Sequence, residues 1–427
     1  MIWVSLATAV NRISFLGNSI FLARVLGKCS FGEFTMARST LGLFQLLSGF
    51  GLSPTATKFV SQYRETKRDR AEAIITFTTF SVSVTSFLFG ISLFLFSSPI
   101  SIKALKNPGL APLLRIGAFI IFLGGIPGIL NGILLGLEAF KTYAFLGMFS
   151  SILLLVFPVL GAMLLGLKGA FYGFLSMVFT LLFAGFFLFK KEIGKAGLRF
   201  PVKGAWKEAH ILFGFSLPVL LSSGILIIST WVLNALLAQR EGGYAQMGLL
   251  AAAVSWRGPL IFIPGVLSNS FFPILSNFLG NSDFRRFKKA LLLQVATIAV
   301  TTSIGVLLVV FFSPFLMGLF GKTFKGSSSI LNWMALSAIP MGITMAFDKI
   351  FQALGHTWLG LATSLAWAGL LIGLSSVYLG QGKGAEGIAR AFCIAYTCHV
   401  TWQGIIVFFL LKGVGKGGKS VPQRTPY

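Results

Sequence analysis

The chain has 427 residues, 55% of them hydrophobic, 14% aromatic and only 11% charged. A soluble globular domain carries roughly 25% charged residues, so that class is excluded. The net charge of +24, from 35 Lys and Arg against 11 Asp and Glu, would suit a nucleic-acid binder if it were gathered on a polar domain; here the cations stand in short groups between apolar stretches, which is the pattern of membrane topology.

Residues 2 to about 23 form the first apolar stretch, interrupted by Arg12. It has no basic n-region and no small-residue cleavage site, so it is expected to be a retained helix. Eleven further stretches without Asp, Glu, Lys or Arg follow: 39–57, 73–97, 116–137, 142–167, 169–189, 211–239, 258–282, 291–321, 326–347, 357–382 and 391–411. One crossing needs about 20 residues. The sequence therefore predicts an all-α integral membrane protein of about twelve transmembrane helices. Pro54, Pro127, Pro158, Pro218, Pro259, Pro264 and Pro340 fall within spans, where each removes a backbone donor and can serve as a hinge. The eighth helix, with Pro259, Pro264 and Pro273, is the expected gate.

The connections alternate in charge. One set holds Lys58 and Arg64 to Arg70, Lys141, the run from Lys190 to Lys207, Arg285 to Lys289, Lys349, and the tail from Lys412 to Arg424. The opposite set, with Arg24, Lys28, Arg38, Lys103, Lys106, Arg115 and a few others, is markedly poorer in cations. The positive-inside rule places the first set and both termini in the cytoplasm.

A shift of 215 residues matches Leu52-Ser53 with Leu267-Ser268, Ser61 with Ser276, Ser98-Pro99 with Ser313-Pro314 and Lys168-Gly169-Ala170 with Lys383-Gly384-Ala385. A constant shift near half the chain length predicts two parallel repeats. The expected organisation is a six-helix bundle over 1–195, a cytoplasmic linker over 196–210, and a second six-helix bundle with a short basic tail over 211–427. The connection 190–210 reads equally as an amphipathic segment on the membrane surface or as a plain tether.

Covalent chemistry is not expected. The only aspartates are Asp69, Asp283 and Asp348, without a DD or DxxD pair, and there is no GxxxxGK[ST] loop for nucleotide phosphates. His210, His356 and His399 are scattered, as are Cys29, Cys393 and Cys398, so neither a metal site nor a cofactor is expected. His399 alone lies at depth, where a hydrogen-bonded packing role is favoured over a proton relay.

Charges inside spans carry the functional signal, because a charged side chain at the bilayer centre costs about 2.5–3.5 kcal/mol on the insertion scale. Arg12 and Arg257 are the in-span cations, and two unpaired arginines suit an anionic, phosphate-bearing ligand. Asn11, beside Arg12, is a further candidate for sugar or phosphate hydrogen bonds. Glu33 and Asp348 are the carboxylates nearest to span depth and the candidate ion-coupling groups, with Lys349 placed to neutralise Asp348.

The segments ARVLGKCSFGEF (23–34), GLSPTATKFVSQYRE (51–65), ILNGILLGLEAFKTYAF (129–145) and FIPGVLSNSFFPILS (262–276) resemble polysaccharide flippases of the multidrug/oligosaccharidyl-lipid/polysaccharide (MOP) exporter superfamily, in order along nearly the whole chain. The resemblance implies a MATE-like fold, two six-helix bundles around a central cationic cavity, and alternating access. It implies movement of a polyprenyl-pyrophosphate-linked oligosaccharide from the cytoplasmic to the external leaflet of the inner membrane. Its partners would be that substrate, membrane lipids, H⁺ or Na⁺ as coupling cation, and glycan-assembly enzymes. Two alternatives differ in kind: a cation-coupled multidrug antiporter of the same fold, which needs an acid at depth, and a membrane scaffold recruiting assembly enzymes through its basic loops.

Overall fold

The computed structural model describes residues 2–198, 205–209, 215–281 and 283–417, and these residues form helices and turns without a strand. Nine helical stretches among them are long and apolar enough to cross a membrane. Two compact units are present, Met1–Gly248 and Leu249–Tyr427.

The first unit begins with α1 (Ile2–Gly49), 48 residues long. A straight helix of that length would run ~72 Å, more than twice the ~30 Å hydrocarbon core. It breaks at Gly27, whose φ of 71° and ψ of 169° lie outside the helical region and suit glycine. The two halves then fold back on each other. Phe15 and Arg38 would be ~34 Å apart along a straight helix, yet the Arg38 guanidinium carbon stands 5.2 Å from the Phe15 ring centre.

The second half of α1 runs from the Gly27 break to Gly49, earlier at both ends than the predicted span 39–57. Phe50 and Gly51 adopt positive φ, and α2 (Leu52–Tyr63) restarts two residues before Pro54. Helices α3 (Arg68–Pro99) and α4 (Ala111–Gly136) follow.

Helix α5 (Phe140–Ala196), of 57 residues, breaks at Leu165 and Gly166. It too doubles back: a Cβ at Gly161 would stand 2.1 Å from the Gly169 carbonyl oxygen, and one at Gly173 2.2 Å from that of Phe157. Glycine lets the antiparallel backbones touch. The predicted boundary at Lys168 is thus shifted to Gly166, because reversal needs glycine geometry rather than a charge.

Helix α6 (Leu217–Ala238) packs antiparallel along the second half of α1. The Ser216 and Thr55 hydroxyls lie 2.7 Å apart, Trp231 Nε1 donates to Thr40 Oγ1 at 3.1 Å, and Asn234 Nδ2 donates to Ser39 Oγ at 3.2 Å. This packing assigns α6 to the first compact unit, so packing and sequence repeat divide the chain at different places.

Helix α7 (Gly243–Leu260) enters the second unit, followed by α8 (Phe262–Gly280), α9 (Phe284–Phe311), α10 (Ser313–Gly318), α11 (Ser328–Leu336), α12 (Ala338–Ala353), α13 (Thr357–Gly380) and α14 (Gly384–Gly417). Ile261 interrupts the predicted eighth helix between Pro259 and Pro264. The core of this unit joins Leu275, Phe287, Ile350, Phe351 and Val407.

The 215-residue shift reappears in the helix bounds. Moved by 215, Arg68–Pro99 becomes 283–314 against Phe284–Phe311, and Ala111–Gly136 becomes 326–351 against the pair Ser328–Leu336 and Ala338–Ala353. The two halves of α5 correspond in the same way to α13 and α14.

Part of the connection 196–210 lies within the described residues. Ala205–Ala209 forms a short 3₁₀ turn seated on α3. Arg70 donates to both Glu208 carboxylate oxygens, at 3.0 and 3.2 Å, and Trp206 meets Phe77 and Phe80 edge-on. Residues 199–204 and 210 of this connection, His210 among them, and the tail 418–427 lie outside the described residues.

Candidate functional site

Folding α1 into a hairpin sets three groups on facing stretches of helix. Arg12 is exposed on the first half, about 15 residues or ~22 Å from the Gly27 break. It has no ion pair or hydrogen bond among the described residues. Asn11 is also exposed, but its amide is engaged, donating to Ser151 Oγ of α5 at 3.3 Å.

Arg38 is the residue that sequence reasoning misplaced. It was expected in an external connection because Lys28, Glu33 and Arg38 interrupt the apolar pattern. The structure puts it about 11 residues into the second half of α1, ~16 Å from the break. Its guanidinium lies between two rings, Phe15 at 5.2 Å and Phe174 at 4.9 Å, and forms no ion pair among the described residues. The usable signal was Gly27, the turn residue that makes a hairpin of 2–49.

Glu33 is tied elsewhere: its Oε1 accepts from Asn107 Nδ2 at 2.9 Å. Tyr244 anchors the same connection, its hydroxyl donating to the Leu105 carbonyl at 2.6 Å. Glu33 therefore fastens the stretch between α3 and α4 to α1, and forms no ion pair among the described residues.

In the second unit Arg257 is half-buried on α7, 5.0 Å from the Phe392 ring centre. Its Nη1 is buried without a hydrogen-bond partner among the described residues. Phe392 begins a stripe on α14 that continues through Tyr396, His399 and Gln403, the spacing of one helical face. Trp367 of α13 packs on Phe392, Tyr396 and His399 at 4.9–6.5 Å between ring centres. His399 is buried, and neither ring nitrogen has a hydrogen-bond partner among the described residues. The expected hydrogen-bonded packing role is thus corrected to ring stacking alone.

Asp348 closes the other end of this stripe. Gln403 Nε2 donates to Asp348 Oδ1 at 2.9 Å and contacts Thr363 Oγ1 at 3.3 Å, which joins α12, α13 and α14 through three oxygen-bearing side chains. Lys349 forms no direct ion pair with Asp348 among the described residues; its Nζ lies over the Phe272 ring at 5.5 Å and contacts Gln352 at 3.5 Å. A helix separates adjacent side chains by about 100°, so sequence neighbours face apart. Among the described residues no three of His, Cys, Asp and Glu gather into a metal site.

The polysaccharide biosynthesis protein family matches residues 1–279, and the MatE family matches 216–379. The EPS I polysaccharide export inner membrane protein EpsE of Ralstonia nicotianae is 23% identical, aligned over 93% of this chain and 90% of its own. Among solved structures, an inward-facing multidrug resistance MATE family transporter of the MOP superfamily superposes with a TM-score of 0.77 at 16% identity, covering 97% of this chain and 99% of that one. The lipid II flippase MurJ gives 0.74 at 19% identity, over 97% and 90%. A MOP superfamily transporter from Pyrococcus furiosus, described as having a binding pocket of reversed polarity, gives 0.68 at 17% identity, over 97% and 95%. These likenesses fix a MATE-like membrane fold. The chain belongs to the polysaccharide biosynthesis protein family and is a multi-pass membrane protein.

Proposed function

We propose that this protein is a transporter that moves a polyprenyl-pyrophosphate-linked oligosaccharide from the cytoplasmic to the external leaflet of the inner membrane by alternating access. In this reading twelve helices cross the bilayer as two six-helix bundles, 1–195 and 211–427, joined by the linker 196–210, and both termini are cytoplasmic. The observation that carries it is three arginines well inside helices, Arg12, Arg38 and Arg257, that have no carboxylate partner among the described residues. Holding three unpaired cations at depth is costly unless an anion offsets them. A pyrophosphate does so, and guanidinium groups bind its oxygens bidentately. The names of the relatives support the same substrate class, one being a polysaccharide exporter and one a lipid II flippase.

Asp348 is the candidate coupling group, where H⁺ or Na⁺ would exchange for the Gln403 contact. Glu33 is the second candidate, its Oε1 likewise held by an amide, that of Asn107. Asn11 would add sugar contacts through its Oδ1 and second N–H, one N–H being engaged by Ser151. The multidrug antiporter reading is favoured by Asp348 alone.

The test is leaflet accessibility of a polyprenyl-pyrophosphate oligosaccharide in proteoliposomes. Wild type is expected to move it, and Arg12→Ala/Arg257→Ala to insert normally but transport at least about ten-fold more slowly, the equivalent of ~1.4 kcal/mol. Undiminished transport by the double variant would sink the anion-binding assignment. Ion-driven efflux of a cationic dye without glycan movement would favour the antiporter, and dependence on the 190–210 segment alone would favour the scaffold.

A further inference from the structure

The face of α4 turned away from the core carries a cation near two adjoining grooves, the first wholly apolar and the second mostly so. Gly90 of α3 faces Ala118 and Phe122 of α4, and a Cβ there would stand 3.1 Å from the Ala118 carbonyl oxygen. Where that side chain is missing, a groove of about 290 Å³ runs between α3 and α4, walled by Phe87, Ile91, Phe94, Phe119 and Phe122. On the other flank of α4 a second groove, of about 340 Å³, lies against the second half of α5, walled by Leu123, Leu175, Ser176, Phe179, Thr180 and again Phe119. Phe119 is therefore the ridge between two grooves.

Arg115 stands one helical turn from Phe119 on the same face of α4. Its Nε donates to Ser97 Oγ at 3.3 Å and its Nη2 to Ser98 Oγ at 3.2 Å, which lays the side chain against the end of α3. A guanidinium has five N–H donors, so three remain. Arg115 is exposed and has no carboxylate partner among the described residues. The neighbouring connection adds exposed Lys103 and Lys106.

We propose that this is a seat for one anionic phospholipid, its two acyl chains in the two grooves astride Phe119 and its phosphate on Arg115. The groove walls on α3 run from Phe87 to Leu95, ~12 Å along the axis. That is close to half of the ~30 Å hydrocarbon core, the depth of a single leaflet. Two grooves that share one wall beside one cation match a diacyl lipid, whereas a single isoprenoid chain fills one groove. The additional lysines favour a headgroup of net negative charge over a zwitterion. Under the proposed orientation the seat lies in the external leaflet, but it is independent of the transport reading.

The test uses the purified full chain in detergent, with retained lipid counted by native mass spectrometry. The probes are palmitoyl-oleoyl phosphatidylglycerol, phosphatidylcholine with the same chains, and single-chain lysophosphatidylglycerol. Wild type should retain diacyl phosphatidylglycerol roughly five-fold better than either comparison lipid. Arg115→Gln should lower it to the phosphatidylcholine level. Ile91→Trp and Ser176→Trp, both at exposed positions, should each obstruct one groove and lower it to the lyso level without changing the melting temperature. Equal retention of the three lipids by wild type, or phosphatidylglycerol retention unchanged in Arg115→Gln or in both tryptophan variants, would overturn the proposal. So would stronger retention of a polyprenyl phosphate, which would mark an isoprenoid occupant. If a variant loses stability, the comparison of the three lipids on wild type still decides.

Discussion

Arg38 and Phe15 stand 23 residues apart on the two arms of the α1 hairpin, and the guanidinium carbon of the first lies 5.2 Å from the ring centre of the second. The hairpin at Gly27 makes this contact, and with it places a cation within the helical hairpin. A cation–π contact is worth ~0.5–2 kcal/mol, the larger value when desolvated. Arg38→Gln should therefore lower thermal stability by no more than a few degrees while slowing glycan movement about ten-fold or more. Arg38→Lys should recover part of the transport, since it keeps the charge and loses the planar fork. Measuring melting temperature beside leaflet accessibility separates the two effects; a stability loss with normal transport would make Arg38 a packing residue only.

The α5 hairpin depends on glycine at three contact positions and at the turn. Gly166 holds φ 59° and ψ −140°, a region costing of order 1–3 kcal/mol for other residues. Gly166→Val and Gly161→Val are both expected to reduce folded yield sharply, read as the monodisperse fraction in detergent. Gly194→Ala, where a Cβ would meet nothing within 4 Å, serves as the tolerated control. Equal yields from all three would mean that the backbone contact does not hold the hairpin.

Arg70 and Glu208 tie the linker to α3, with Glu208 mostly covered and Arg70 about one-third exposed. A double-mutant cycle between Arg70→Gln and Glu208→Gln should give a coupling of about 1 kcal/mol, reduced by salt because Arg70 is partly solvated. Trp206→Ala should independently increase protease cleavage near residue 205. Additive single effects would reduce the ion pair to a surface coincidence.

Asp348 is held by Gln403, a neutral donor, so removing its charge leaves no buried cation behind. Asp348→Asn is therefore expected to fold normally and to uncouple transport from an imposed H⁺ or Na⁺ gradient while sparing downhill exchange. Gln403→Leu should shift the ion dependence in the same assay. Gradient-driven transport that persists in Asp348→Asn assigns coupling to another group.

Orientation is open to a direct check. In a cysteine-free background, single cysteines replacing Lys141 and Lys322 should react with a membrane-impermeant maleimide from opposite sides, Lys141 from the cytoplasm. Reversed labelling would invert the proposed direction of transport.

The sequence by itself determined that this is an all-helical membrane protein. Apolar stretches of crossing length admit no other structure, since backbone polar groups in lipid must be satisfied within a helix. It also determined the 215-residue repeat, because register survives where side chains diverge, and the helix bounds keep it. Tertiary structure alone decided where helices reverse and which charges lie within them. Charge-free windows put Arg38 in a connection; the hairpin at Gly27 brings it into a helix, because reversal is set by backbone dihedrals and not by hydropathy. Side-chain partners were equally illegible. Glu33 belongs to Asn107 and Asp348 to Gln403, contacts 74 and 55 residues apart in the chain, whereas the adjacent Lys349 turns away to Phe272. Hydropathy is summed along the chain, but a buried polar group is satisfied only by whatever folding brings within hydrogen-bond reach.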